Sequence, residues 1–293
     1  MSHEETFAPA WLALREPFDH DARAGGLTHA LGRALPGERR VRLLDLGGGT
    51  GSNFRYTAPQ LMGTQDWLVL DHDPVVLDQI APVTLGWARE MGFEARHHEG
   101  EVAVGGWRLS WRQRDLSDPS LLEAALDEAA ADGIDAVVTS ALLDLVNEPW
   151  LRALAGWCAA RRLPILAALT VDGRMDCAPT DPRDMSVFAN FQAHQRADRG
   201  AGPQPGPDAA ERLAAAMEAR GYSVRLARAD WRLPSDEPVI LRQMVDGIAS
   251  AAAEMTPTPA VTEAWRLARR AEIEAGNLTM TVGHLDLLGL PPG

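Results

Sequence analysis

Val41-Arg42-Leu43-Leu44-Asp45-Leu46-Gly47-Gly48-Gly49-Thr50-Gly51-Ser52-Asn53 is the stretch whose reading decides the fold. Val41 to Leu46 is a short, mostly apolar run of the kind a buried parallel strand needs. It carries one acid, Asp45, near its end, then three consecutive glycines and a fourth at Gly51. Glycine tolerates positive φ and leaves no Cβ between backbone and ligand. A strand that breaks into such a turn and then opens a helix predicts a ligand cradle. Spacing narrows the ligand. A dinucleotide fingerprint requires G-x-G-x-x-G/A, and Ser52 stands at its third position after Gly47 and Gly49. A phosphate-gripping P-loop requires a lysine, and the chain contains none. What is left is D-x-G-x-G-x-G, Asp45 through Gly51.

Past Gly51 a short helix leads to Trp67-Leu68-Val69-Leu70-Asp71, a second buried-type strand closed by a carboxylate. One carboxylate can accept from both hydroxyls of a ribose. Dinucleotide enzymes place an acid at about this distance too, so the glycine spacing, not Asp71, separates the two readings. Together these residues resemble the opening motifs of the class I S-adenosylmethionine (SAM) dependent methyltransferases. The resemblance covers Val41 to Val171 in detail and the remainder in outline. It implies an α/β fold with a seven-stranded, mostly parallel sheet, helices on both faces, and a last strand antiparallel to its neighbours.

Composition agrees with that class. With 293 residues and 46% hydrophobic content, one open α/β sheet with insertions can absorb the chain. A net charge of −13 argues against nucleic acid or an anionic membrane as partner, since phosphate binding draws on a positive footprint. All 28 basic residues are arginine, which also excludes Schiff-base lysine chemistry. Cys158 and Cys177 alone form neither a disulfide framework nor a metal-ligand cluster, so no metal is expected. The acidic start, Met1 to Glu5, lacks an apolar signal core, and no apolar run approaches the ~18 residues of a membrane span. A cytoplasmic protein acting on a small molecule is expected; oligomeric state is open.

In chain order, residues 8–35 read as helical, broken at Gly25-Gly26, and form an N-terminal cap over 1–38 ahead of the SAM-binding unit at 39–293. Trp11, Arg15 and Asp19 share one helix face, which suits either a lid or ordinary packing. Pro59 cuts short the helix after the glycine turn. Asp73-Pro74 starts another, interrupted near Pro82. A hairpin turns at Gly105-Gly106, its second arm alternating Trp/Leu/Trp with arginine on a solvated face. Asp118-Pro119 caps the next helix, and Ile134 to Ser140 is the fourth core strand. A helix from about Pro149 to Arg162 and an apolar strand from Pro164 to Val171 follow. Asp172-Gly173 reads as a turn into the first helical insertion, about 172–207, with a helix from Arg183 to Arg199 and a loop from Gly200. Asp208 caps a helix closed by Gly221, and Tyr222 to Ala229 is the sixth strand. The second insertion, about 231–277, carries helices at Asp236–Met255 and Thr258–Ala275 before the last strand, Leu278 to Leu288.

The resemblance assigns cofactor contacts residue by residue. It brings the backbone of Gly47, Gly48, Gly49 and Gly51 against the methionine portion of SAM, with Asp45 holding the turn and balancing the ammonium group. Asp71 accepts from the ribose, with His72 beside the adenosine. Asp115 accepts from the adenine amino group, the Leu116 N–H donates to the ring, and Ser140 with Ala141 passes beneath the sulfonium.

Two candidates stand for a base. Asp144 follows the fourth strand among apolar neighbours that would raise its pKa, or else caps or salt-bridges the next helix. His194 shares a helix face with Phe188, Phe191 and Asp198, which suits a pocket roof or plain helix packing. The leading reading is methyl transfer to a small-molecule acceptor. A SAM-binding protein that is non-catalytic or uses SAM for other chemistry is the alternative. A nicotinamide dehydrogenase is disfavoured by Ser52.

Overall fold

The computed structural model describes residues 8–198 and 202–293. The first part of the chain forms α1 (Pro9–Ala22), α2 (Gly25–Ala34), β1 (Val41–Leu46), α3 (Ser52–Thr57) and β2 (Gln65–Asp71). Then come α4 (Pro74–Leu77), α5 (Ile80–Glu90), β3 (Ala95–His98), β4 (Glu101–Val104), β5 (Trp107–Gln113), α6 (Pro119–Ala129), β6 (Ala136–Ser140), α7 (Glu148–Arg161) and β7 (Ile165–Ala178). The C-terminal part adds α8 (Asp184–Gln195), α9 (Ala209–Glu218), β8 (Ser223–Arg228), β9 (Trp231–Leu233), α10 (Pro238–Glu254), α11 (Pro259–Glu274) and β10 (Thr279–Leu290).

One sheet runs β3-β4-β5-β2-β1-β6-β7-β10-β8, with β9 also on β10. The centre, β5-β2-β1-β6-β7, is parallel, and β10 inserts antiparallel between β7 and β8. This is the class I methyltransferase-like sheet that the glycine motif implied. β1 pairs along its whole length with β2 and from Leu43 to Leu46 with β6, and reads as a buried run apart from Arg42, which is why its apolar stretch was legible. Its register sets Leu46 beside Leu70 and Thr139, so the carboxyl ends of β1, β2 and β6 open at one level. Strand order reverses at β1, and crevices form at such switch points.

Helices cover both faces. Trp150, Leu154 and Leu213 pack on one, Leu31, Phe54 and Ile80 on the other. A third core holds Trp231, Ile240, Ile248 and Trp265 beneath α8, α10 and α11. No helix among the described residues is long and apolar enough to cross a membrane.

Five local expectations are corrected. Asp172-Gly173 is not a turn: β7 runs on to Ala178, because β10 pairs with it from Val171 to Met175 across a bulge opposite Gly283. The positive φ of Gly173 that reads as a turn serves the bulge instead. The helix interruption falls at Asp78-Gln79, and Pro82 sits in the first turn of α5, where a missing N–H costs nothing. Asp208 occupies the cap position of α9 without a capping bond and faces Arg196 instead. The strand count among the described residues is ten rather than seven: β4 is the first arm of the expected hairpin at Gly105-Gly106, while β3 and β9 are short pieces with little periodic signal. The helix expected to reach Arg199 stops at Gln195, so Asp198 lies off the face it was expected to share with His194 and bridges Pro203 instead; the start of the Gly200 loop lies outside the described residues, as does the 1–7 portion of the expected cap.

Candidate functional site

The glycine turn leaves β1 with Gly47 and Gly49 at φ 61° and 52°. Gly47 tucks under Leu142, where an added Cβ would stand 3.0 Å from Cδ1. Gly48 is needed for a different reason. A Cβ there would lie 2.9 Å from both Asp45 Oδ2 and Val69 Cγ1, so the turn is packed hard from behind. Gly51, at φ 82°, is the N-cap of α3. The Gly49 N–H donates to Asp71 Oδ2 at 2.9 Å, and the Asp73 N–H to Oδ1 at 3.0 Å. Burial pushes the Asp71 carboxyl up, yet bonds from His72, Asp73 and Gly49 outweigh it and hold the group below the ordinary range. A carboxylate with two oxygens keeps lone pairs for further donors.

Gly47, Gly48, Gly49, Asp71, His72 and Ser140 line one crevice of about 150 Å³, together with Leu12 and Arg15 of α1. Asp45, Gly51, Asp115 and Leu116 do not. Asp45 is fully buried behind the turn: Oδ1 accepts from Asn53 Nδ2 at 2.9 Å, while Oδ2 has no hydrogen-bond partner. Desolvation raises its pKa to about 7, against the pull of Asn53 and Arg23. Asp115 spends an oxygen on the Ser117 N–H at 2.8 Å, and Leu116 is buried with its carbonyl bound to Trp150 Nε1.

Beside the crevice lies a second cavity of about 400 Å³, and Arg15, Ala141 and Leu145 line both. Ala141 holds φ 53°, a conformation costing roughly 1–3 kcal/mol for a residue with a Cβ, at the point where the two spaces meet. The cavity brings Asp144 and His194 onto one wall system, with Phe191 and Gln195 of α8. His194 Nε2 lies 3.4 Å from Glu254 Oε2. Phe188 instead turns into the core against Trp265. Asp144 sits in the single turn Leu143–Leu145, and α7 is capped by Asn147, which accepts from the Trp150 N–H.

Sequence reasoning missed Trp231, Met244 and His284 on this cavity. His284 carried a faint signal, a lone histidine in an apolar strand after Gly283. Arg15 and Asp19 do pair, at 2.9 and 3.1 Å, and Asp19 also accepts from Trp231 Nε1 at 3.0 Å.

No family model and no curated protein matches the chain. Solved structures do align with it. A cyclopropane-fatty-acyl-phospholipid synthase-like protein from Lactobacillus casei is 13% identical at TM-score 0.49, over 97% of this chain and 94% of its own. A SAM-dependent methyltransferase from Geobacter sulfurreducens, in complex with S-adenosyl-L-homocysteine, is 14% identical at TM-score 0.41, over 93% of each chain. Phosphoethanolamine N-methyltransferase 2 from Haemonchus contortus is 12% identical at TM-score 0.43, over 99% of this chain, which spans 59% of that enzyme. At these levels the likenesses carry no argument about activity, and the fold assignment rests on the strand order and register above.

Proposed function

We propose that this chain is a SAM-dependent methyltransferase acting on a small molecule. One observation carries the reading: a glycine-walled crevice closed by a carboxylate at the β2 end opens sideways onto a separate, largely apolar cavity. Two spaces meeting at Arg15, Ala141 and Leu145 suit a donor and an acceptor held apart until aligned. The residues present fit the donor. The turn has no Cβ in the way at Gly47 and Gly49, and behind it the buried Asp45 carboxyl, its Oδ2 unpartnered, can ionise when a cation sits in front. SAM, when bound, supplies an electrophilic methyl group on a cationic sulfur.

The chain's own part is orientation. Asp71 accepts from the ribose hydroxyls, His72 flanks the nucleoside, and Ser140 with Ala141 forms the floor near the reacting atoms. Walls of Trp11, Trp231 and Met244 keep water from the acceptor, and alignment at near-attack distance supplies most of the acceleration. Asp144 and His194 are the candidates to take a proton from an acceptor that arrives protonated.

Calorimetry with SAM, S-adenosyl-L-homocysteine and NAD tests the reading. SAM and its demethylated product should bind, and Asp71→Ala should weaken both at least 10-fold, since hydrogen bonds to a charged group are worth about 1.5–3 kcal/mol. Saturable NAD binding with no response to SAM overturns it. For the base, Asp144→Asn and His194→Ala are assayed for SAM binding and for methyl transfer to a panel of small acceptors separately. Normal transfer by both variants removes them as proton acceptors.

A further inference from the structure

His284 lies on β10 at the inner end of the large cavity, almost wholly buried. Its Nδ1 is 3.0 Å from the carbonyl oxygen of Val282. A carbonyl only accepts, so Nδ1 must carry a proton. Burial first, then the Arg15 guanidinium, keep the ring neutral against weaker opposing pulls from the Val282 carbonyl and Asp230, with Arg174 adding a little. A neutral imidazole with hydrogen on Nδ1 has a bare lone pair at Nε2. Among the described residues the ring's hydrogen bond is made by Nδ1, and Nε2 is not one of the sealed, unpartnered atoms: the ring lines the cavity, where a ligand can reach it. An acceptor left unmatched in such a place discriminates strongly in favour of a ligand that brings a donor.

The surroundings specify the rest of the ligand. The Trp231 ring lies 5.4 Å from His284 at a tilt of 44°, and 6.4 Å from Trp11 in an edge-on arrangement. Phe191, Met244 and Ile248 continue an apolar lining. Arg15 stands over Trp231 at 5.0 Å but is held by both oxygens of Asp19, so this wall presents no net charge to an anion. A volume of about 400 Å³ falls in the ~300–1,000 Å³ range of small-molecule pockets.

We propose that His284 Nε2 is the specificity-determining hydrogen-bond acceptor of this cavity and that its ligand is a neutral, phenol-type aromatic whose hydroxyl donates to it. The inference rests on the reading of this cavity as the acceptor site. His284 orients the ligand through this hydroxyl, which keeps its proton; any proton lost in methyl transfer leaves a different group of the ligand and goes to Asp144 or His194.

The test uses 2-naphthol, naphthalene and 2-methoxynaphthalene as probes, with binding measured by calorimetry on the full chain. Wild type should bind 2-naphthol at least 10-fold more tightly than either donor-less probe. His284→Leu should bring the naphthol-to-naphthalene ratio close to one while keeping naphthalene affinity, and His284→Gln should restore part of the preference through Oε1. A purely structural histidine would lower all three affinities together. No preference in wild type, or a preference that survives in the leucine variant, overturns the proposal.

Nitrogen-15 imidazole spectra of wild type give a check independent of variant folding. Nε2 should appear unprotonated and shift with 2-naphthol but not with naphthalene; a proton on Nε2, or no response, also overturns it. SAM binding is measured on the same samples. Loss of SAM binding with intact naphthol selectivity would sink the methyl-donor reading alone, and the converse would sink this one alone.

Discussion

Asp45 is the residue at which folding and ligand binding pull in opposite directions. Burial raises its pKa from 3.8 to about 7, so the folded protein holds a proton that the unfolded chain has released. The sign follows from that difference. Its contribution to stability is full below pH 4 and is lost as pH rises to 7, at about 1.4 kcal/mol per unit. Between pH 5 and 7, wild type should therefore lose roughly 2–3 kcal/mol relative to Asp45→Asn in urea unfolding. A cation bound in front of the turn favours the ionised form. SAM binding at pH 6 should release a proton, seen as different heats in phosphate and bis-Tris, and the difference should vanish at pH 8 between phosphate and Tris. Gly48 makes the second prediction at this scale. Its would-be Cβ meets buried Asp45 and Val69 rather than a flexible chain end, so Gly48→Ala should cost about 1–3 kcal/mol through overpacking, measured by urea denaturation.

Among the elements, α1 is the one laid over the glycine crevice. Its later turns are tied down: Glu16 holds Arg55 at 2.7 Å, and His20 reaches Ser52 Oγ at 3.0 Å. Its first turns, with Leu12 over Gly49, close the crevice. The crevice volume of about 150 Å³ is below the ~300 Å³ floor for ordinary ligand pockets, so on the proposed function SAM binding should shift the front of α1. Hydrogen exchange should show protection changing at residues 9–15 on SAM addition while residues 18–22 stay unchanged. Identical exchange with and without SAM would leave α1 as packing only. The one-face alignment of Trp11, Arg15 and Asp19 was visible in the sequence. Its neighbours were not, because Trp231 reaches that face from a strand more than 200 residues later.

At the scale of the molecule, Asp286 joins the cap to the sheet. Its carboxylate accepts from the Leu169 N–H at 2.8 Å and the Ala24 N–H at 2.9 Å, with buried Arg23 3.4 Å away. Asp286→Ala strands a buried guanidinium, and breaking such a pair costs about 3–5 kcal/mol. A fall in Tm of roughly 6–15 °C is expected in calorimetry, with α2 and the β7 end losing exchange protection together.

Local chemistry in the sequence was enough to determine β1, the glycine turn, the acid closing β2 and the parallel order around them. Each rests on a short-range rule: apolar runs for doubly covered strands, glycine for positive φ, Asx-Pro for helix starts. Tertiary structure alone decided which side chains share the second cavity. Asp144, His194, Trp231 and His284 come from four elements far apart in the chain, and only the antiparallel return of β10 beside β7 brings them to one wall. It also decided that Asp115 caps a turn and that Asp45 lies behind the loop rather than in front of it. Burial and partner choice are properties of the packed whole, and no local spacing encodes them.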